Sequence, residues 1–134
     1  MPAIDPEVQR TYESIRAGDL TWAVFADDGY RQYIVDHVSV DSDYDAFCGR
    51  LAPDDAKVRF AYRRFEAGEN GSERAKYALF VWAPGHMTMK FPAKSRLSTD
   101  KLAIQQVVQD WDAEVVASQR DDLAHAKVVA QLGN

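Results

Sequence analysis

One cysteine, Cys48, is all the thiol this 134-residue chain has. A lone thiol closes no internal disulfide and builds no cysteine-ligated zinc site, so a reducing compartment is expected. Histidine is scarce as well. His37, His86 and His125 stand apart, with no metal-spaced pair among them. No phosphate-cradling glycine loop or nucleophile elbow occurs, so neither enzymatic chemistry nor a cofactor is expected. The start of the chain lacks a basic segment followed by an apolar one, which argues against a secretory leader. The longest apolar run, Tyr77-Ala-Leu-Phe-Val-Trp-Ala83, has strand length. It falls far short of the roughly 20 residues that span a bilayer. With no internal repeat, low-complexity tract or linker, the expectation is one cytoplasmic domain over residues 1–134, monomeric and not membrane-embedded.

A basic surplus is also missing. Lys plus Arg is 16 and Asp plus Glu is 21, a net charge of −5 that speaks against nucleic acid as a partner. The charge is uneven, however. Residues 1–50 balance to −6, residues 51–101 to +4, and residues 102–134 to −3. An acidic protein with a basic middle is what the rest must explain.

The elements read as follows. Asp5-Pro6-Glu7 is a helix start, with an N-cap acceptor, proline at the first helical position and an acid at the positive dipole end. Val8, Tyr12 and Ile15 recur at helical spacing before Gly18, which predicts a helix over 6–16. Residues 20–26 and 30–35 read as a hairpin turned at Asp27-Asp28-Gly29. Ser42 and Asp45 form a capping box before a short helix whose apolar face is Tyr44, Phe47, Cys48 and Leu51. Strands are predicted over 57–65 and 74–82, joined by a loop at 66–72. Residues 86–97 read as a short strand with irregular flanks. Ser98-Thr99-Asp100 caps the longest predicted helix, 100–117, on the stripe Ile104, Val107, Val108, Trp111 and Val115. A second capping box, Ser118 to Asp121, opens a last helix near 121–132. This order predicts an α/β (α+β) fold, a mixed sheet covered by helices.

Few residues point to chemistry. Cys48 reads as core packing, since free cysteine behaves as a small hydrophobe and Asp43 and Asp45 would oppose a thiolate. Asp41, Asp43 and Asp45 resemble half of a calcium loop. Ala46 stands where that loop needs glycine and Ala52 where it needs glutamate, so they read as helix-capping acids. The basic middle is more informative. Arg59, Arg63 and Arg64 lie along one strand, the last two on opposite faces. Arg74 and Lys76 share a strand face. Lys90, Lys94, Arg96 and Lys101 run into a helix. Taken singly these are solvated charges that discourage aggregation; taken together they form a cationic ridge suited to an acidic partner surface.

Ser72-Glu-Arg-Ala-Lys-Tyr-Ala-Leu-Phe-Val-Trp82 resembles a strand segment of the actin-depolymerising-factor homology (ADF-H) family, in its coactosin branch. Further similarity lies at Ile4-Asp5 with Tyr12, at Val58 to Phe65 with Gly68, at Ser98-Thr-Asp-Lys101 with Gln105 to Trp111, and at Arg120-Asp-Asp-Leu123. It extends from about residue 4 to 132. The resemblance implies the ADF-H fold, a central mixed, mostly antiparallel sheet of five to six strands between helices. It also implies binding to the side of actin filaments, in the actin cytoskeleton. The family's strand lysine, which contacts filamentous actin, corresponds to Lys76, beside Arg74. The long helix and the segment before it imply Lys90, Lys94, Arg96, Lys101 and Gln105 as further contacts, with apolar help expected from Met87, Met89 or Leu97. Cofilins carry lysines where this chain has Gln105-Gln106, which favours the coactosin branch over cofilin-like monomer binding and severing. No serine stands near residue three for a cofilin-type phosphorylation switch. Residues 83–97 are about two residues longer than in coactosin, and coactosin's lysine pair has no counterpart after Leu132. Lipoxygenase binding is therefore not expected. The same ridge would also suit phosphoinositides.

Overall fold

Asp5 caps the first helix as its chemistry requires: its carboxylate accepts the Glu7 N–H at 2.9 Å, and α1 runs Pro6–Ala17. Gly18 ends it in the left-handed region at φ 91°, where a Cβ would fall 2.8 Å from the Arg64 guanidinium. The computed structural model describes residues 1–85 and 88–133. The remaining elements are β1 (Ala3–Ile4), β2 (Trp22–Asp27), β3 (Gln32–Ser39), α2 (Tyr44–Leu51), β4 (Arg59–Phe65), β5 (Lys76–Trp82), α3 (Phe91–Val107), β6 (Ala113–Ala117), a 3₁₀ turn (Arg120–Leu123) and α4 (His125–Leu132).

The six strands form one mixed sheet in the order β1-β3-β2-β4-β5-β6. Its interior pairs are antiparallel, and both edge pairs, β1 with β3 and β5 with β6, are parallel. Helices α1 and α3 cover one face, packing on Ala23, Phe25, Tyr33, Phe60, Tyr62, Leu79 and Val81. Helices α2 and α4 cover the other, on Trp22, Val24, Ala61, Phe65, Ala78, Phe80 and Val115. Both faces being dry explains why β5 is apolar from Tyr77 onwards and why six of the seven β4 residues are buried.

Four expectations need correction. The long helix spans 91–107, not 100–117, and residues 113–117 are strand β6. Pro92 starts the helix in its first turn, where a missing N–H costs nothing. Ser98-Thr99-Asp100 lies inside it: Thr99 Oγ1 donates to the Ser95 carbonyl, and buried Asp100 accepts from Tyr33 Oη (2.9 Å) and Arg31 (3.2 Å). The apolar stripe continued past 107 only by coincidence of spacing, and the β-branched pair Val115-Val116 pairs with β5 instead. Second, the strand expected within 86–97 is absent from the described residues, of which 91–97 are helical; His86 and Met87 lie outside them. Third, Asp43, not Ser42, caps α2, accepting the N–H groups of Asp45 and Ala46. Fourth, the last helix is split. Gln119 and Asp122 form the capping box of the 3₁₀ turn, and Asp122 accepts the Ser118 and Gln119 N–H groups in place of the expected Ser118–Asp121 pair.

Arg63 is the least expected core residue. Its side chain is 0% exposed. Rings of Phe65, Tyr44 and Phe47 surround the guanidinium at 4.5, 5.2 and 5.7 Å. It donates to the carbonyls of Ser42 (2.7 Å) and Arg64 (3.1 Å) and approaches Glu69 at 3.4 Å. Burial depresses its pKa, and the Glu69 carboxylate works against that shift. Arg63→Ala should therefore destabilise the fold by about 2–4 kcal/mol, through a cavity and unpaired partners. Arg63→Met should cost less, because it refills the volume. Urea denaturation at neutral pH measures both; equal midpoints for wild type and Arg63→Ala would show the cage to be dispensable.

Candidate interaction surface

The two groups of nominated residues lie on different faces of the sheet. Even-numbered β5 residues face α2 and α4, and odd-numbered ones face α1 and α3. Lys76 therefore points towards α4, where its Nζ donates to the Leu132 carbonyl at 2.8 Å and meets the negative end of that helix. Arg74 lies just before β5 and pairs with Asp112 at 3.0 Å. Asp112 also accepts the Tyr77 N–H at 2.9 Å. Burial raises the Asp112 carboxyl, but the Tyr77 N–H and the Arg74 guanidinium outweigh it and hold the pKa below its ordinary 3.8.

The remaining residues belong to α3, on the opposite face. Lys90, Lys94, Lys101 and Gln105 fall on one flank at helical spacing, the flank nearest β6. There Lys101 Nζ meets Glu114 Oε1 at 2.9 Å, and Gln105 Nε2 donates to Glu114 Oε2 at 3.4 Å. Arg96 does not join them. It lines a cavity of about 540 Å³ on the helix's other flank, with Arg31, Lys57, Arg59 and Asp100 among its walls. Cys48 is not among those walls: it is buried in the α2–α4 core, where burial pushes its thiol up.

The +4 of residues 51–101 thus divides. Arg59 pairs with Asp55, Arg63 is caged, and Arg64 pairs with Glu66, so these three are internal structure. Lys90, Lys94 and Arg96 are exposed and have no ion-pair partner among the described residues. They crowd the first turns of α3, which has no side-chain cap and no acid in its first turn. Cations at the positive end of a helix dipole are unfavourable for the isolated protein, by about 0.3–1 kcal/mol each. An anionic surface placed against them would offset that cost.

The exposed apolar side chains beside these cations are not the nominated ones. Leu97 is 8% exposed and belongs to the core, and Met89 is half-buried against it. Phe91 (80% exposed) and Leu102 (55%) project from α3 instead, and Val116 (51%) from β6. The signal for Phe91 and Leu102 was their place eleven apart on the outer stripe, which appears only once the helix starts at Phe91. Asp112 and Glu114 were missed for the same reason, being read as helix interior. From Lys76 to the far end of β5, near which α3 begins, is about 20 Å, the rise of a seven-residue strand. A surface this long suits a macromolecule.

The sequence profile described as cofilin/tropomyosin-type actin-binding protein matches residues 1–133. The chain belongs to the cofilin/ADF family. Within it, the chain resembles the coactosin branch. The rat coactosin-like protein is 31% identical over 132 residues, covering 96% of this chain and 88% of that one. The crystal structure of human coactosin-like protein superposes with a TM-score of 0.81 at 26% identity, covering 99% of this chain and 98% of that one. The solution structure of mouse coactosin, described as an actin filament binding protein, gives 0.71 at 27% identity over 98% of this chain and 90% of that one. The mixed sheet between two helix pairs is thus the ADF-H fold, and the family is an actin-binding, non-enzymatic one.

Asp112 also supplies a pH test. A carboxylate with a depressed folded pKa stabilises fully above its unfolded value, near 3.8, and loses that contribution as pH falls through the lower folded value. Asp112→Asn should therefore lower the thermal midpoint at pH 7, with the deficit shrinking below about pH 4. A deficit that is constant with pH would show that the carboxylate's charge is irrelevant.

Proposed function

We propose that this ADF-H protein binds the side of actin filaments and modulates their dynamics without chemistry. The observation that carries the proposal is the uncapped start of α3, where Lys90, Lys94 and Arg96 stand exposed near Phe91 with no acid in the first turn. Full-length similarity to coactosin-like proteins, and the filament binding stated for the mouse protein, support a filament as the acidic partner. Such contact would occur in the cytoplasm, with the actin cytoskeleton.

Two contact regions act together. Arg74 and Lys76 engage from the start of β5, while Lys90, Lys94, Lys101 and Gln105 engage from α3. Exposed ion pairs contribute only about 0.2–1 kcal/mol each, so several must form at once. Burial of Phe91, Leu102 and Val116 supplies a non-electrostatic remainder, at about 25 cal/mol per Å² of apolar surface. The expected outcome is micromolar affinity that weakens as salt rises.

Cosedimentation with filaments at two salt concentrations tests this. Lys76→Glu, and separately the pair Lys90→Glu with Lys94→Glu, should each weaken binding about tenfold, equivalent to about 1.4 kcal/mol. The α3 pair serves as the cleaner probe, because Lys76 also holds the end of α4. Unchanged cosedimentation in both variants would place the contact elsewhere. Rapid filament disassembly at equal occupancy would instead favour a cofilin-like severing activity.

A further inference from the structure

Strand β6 lies at the sheet edge and pairs only with β5. Two acids, Asp112 just before it and Glu114 within it, each hold a cation of the proposed contact surface: Arg74 by Asp112, Lys101 by Glu114. The two acids are not equivalent. Asp112 also binds the Tyr77 N–H, so it is fastened to the backbone of β5 and closes the loop between α3 and β6. Glu114 binds side chains only, one oxygen on Lys101 and the other on Gln105. All three side chains are partly exposed, so the pairing can open without disturbing the core.

We propose that Glu114 is an internal counter-ion that occupies Lys101 and Gln105 in the free protein and must be displaced by the acidic partner. The inference rests on the filament-binding reading. Its physical basis is exchange. When a partner carboxylate replaces Glu114, Lys101 trades one ion pair for another and gains little, while the displaced Glu114 faces a like-charged surface. Lys101 thereby adds little net attraction, and Lys90 and Lys94, which have no such acid among the described residues, carry most of the attraction on that flank. Glu114 lowers the affinity and keeps the surface selective for partners able to compete for Lys101.

Glu114→Gln tests this, because it removes the charge and retains the size. It should tighten cosedimentation with filaments by up to about fivefold at low salt, within the range of one exposed ion pair, with the gain fading at high salt. Lys101→Gln, combined with Glu114→Gln, should erase the gain, as a coupled pair requires. Glu114→Ser, a smaller replacement, should shift affinity in the same direction, and thermal midpoints confirm that each variant is folded. Glu13→Gln removes the same charge from the exposed face of α1 and should give no gain. Equal or weaker binding by folded Glu114 variants, an equal gain from Glu13→Gln, or a gain that survives Lys101→Gln would each overturn the proposal. If wild-type protein does not cosediment, the filament reading itself fails, an outcome distinct from wild-type binding that Glu114→Gln leaves unchanged.

Discussion

The Arg63 guanidinium, caged by aromatic rings beneath α2, is the constraint around which one whole layer of this protein is arranged. A cation without solvent has to find acceptors, and the acceptors it finds come from separate parts of the chain. Ser42 precedes α2, Glu69 belongs to the β4–β5 loop, and the same Glu69 oxygen lies 3.1 Å from His125 at the start of α4. Tyr44 joins the group from above, lying edge-on to His125 and donating to the Leu123 carbonyl at 2.6 Å. One buried charge thus fixes where α2 and α4 begin. The far end of α4 is held by Lys76, so the core arginine and a lysine of the proposed contact share responsibility for the same helix.

The opposite layer follows a parallel logic with the signs reversed. There the buried charge is Asp100, held by Tyr33 and Arg31, and it locks α3 onto the β1–β3 side of the sheet. Burial, with the charge and hydrogen bond of Asp100 added to it, raises the Tyr33 pKa well above its ordinary value, so the phenol stays protonated and remains a donor. With α3 locked in rotation, Lys90, Lys94, Lys101 and Gln105 are aimed at the β6 edge, and Arg96 at the other flank. The surface charge therefore depends on two internal charges that fix the helices carrying it.

Much of this was legible in the sequence, and the reasons differ by element. Asp5-Pro6 and Gly18 bracket α1 with local chemistry that tertiary contacts do not override, and Asp27-Asp28-Gly29 turns the hairpin for the same reason. The fold and the actin-binding family could be expected from resemblance along nearly the whole chain. The boundary of α3 could not. Ser98-Thr99-Asp100 has the chemistry of a cap, yet Asp100 spends its carboxylate on a tyrosine and an arginine 67 and 69 residues away. That choice is made by tertiary structure, as is the conversion of Ala113–Ala117 from apparent helix to edge strand. Net charge misled for a related reason: Arg59, Arg63 and Arg64 counted towards the basic middle while being consumed inside the fold.

The central claim is that one edge of the sheet, reached from both faces, forms a single cationic contact surface for a filament. Backbone hydrogen exchange of this protein with and without saturating actin filaments tests it most directly. Protection is expected at residues 74–77 and along 91–105, with α1 and the 27–31 hairpin unchanged. Protection confined to α1 or that hairpin, with residues 74–77 and 91–105 exchanging as in the free protein, would contradict it.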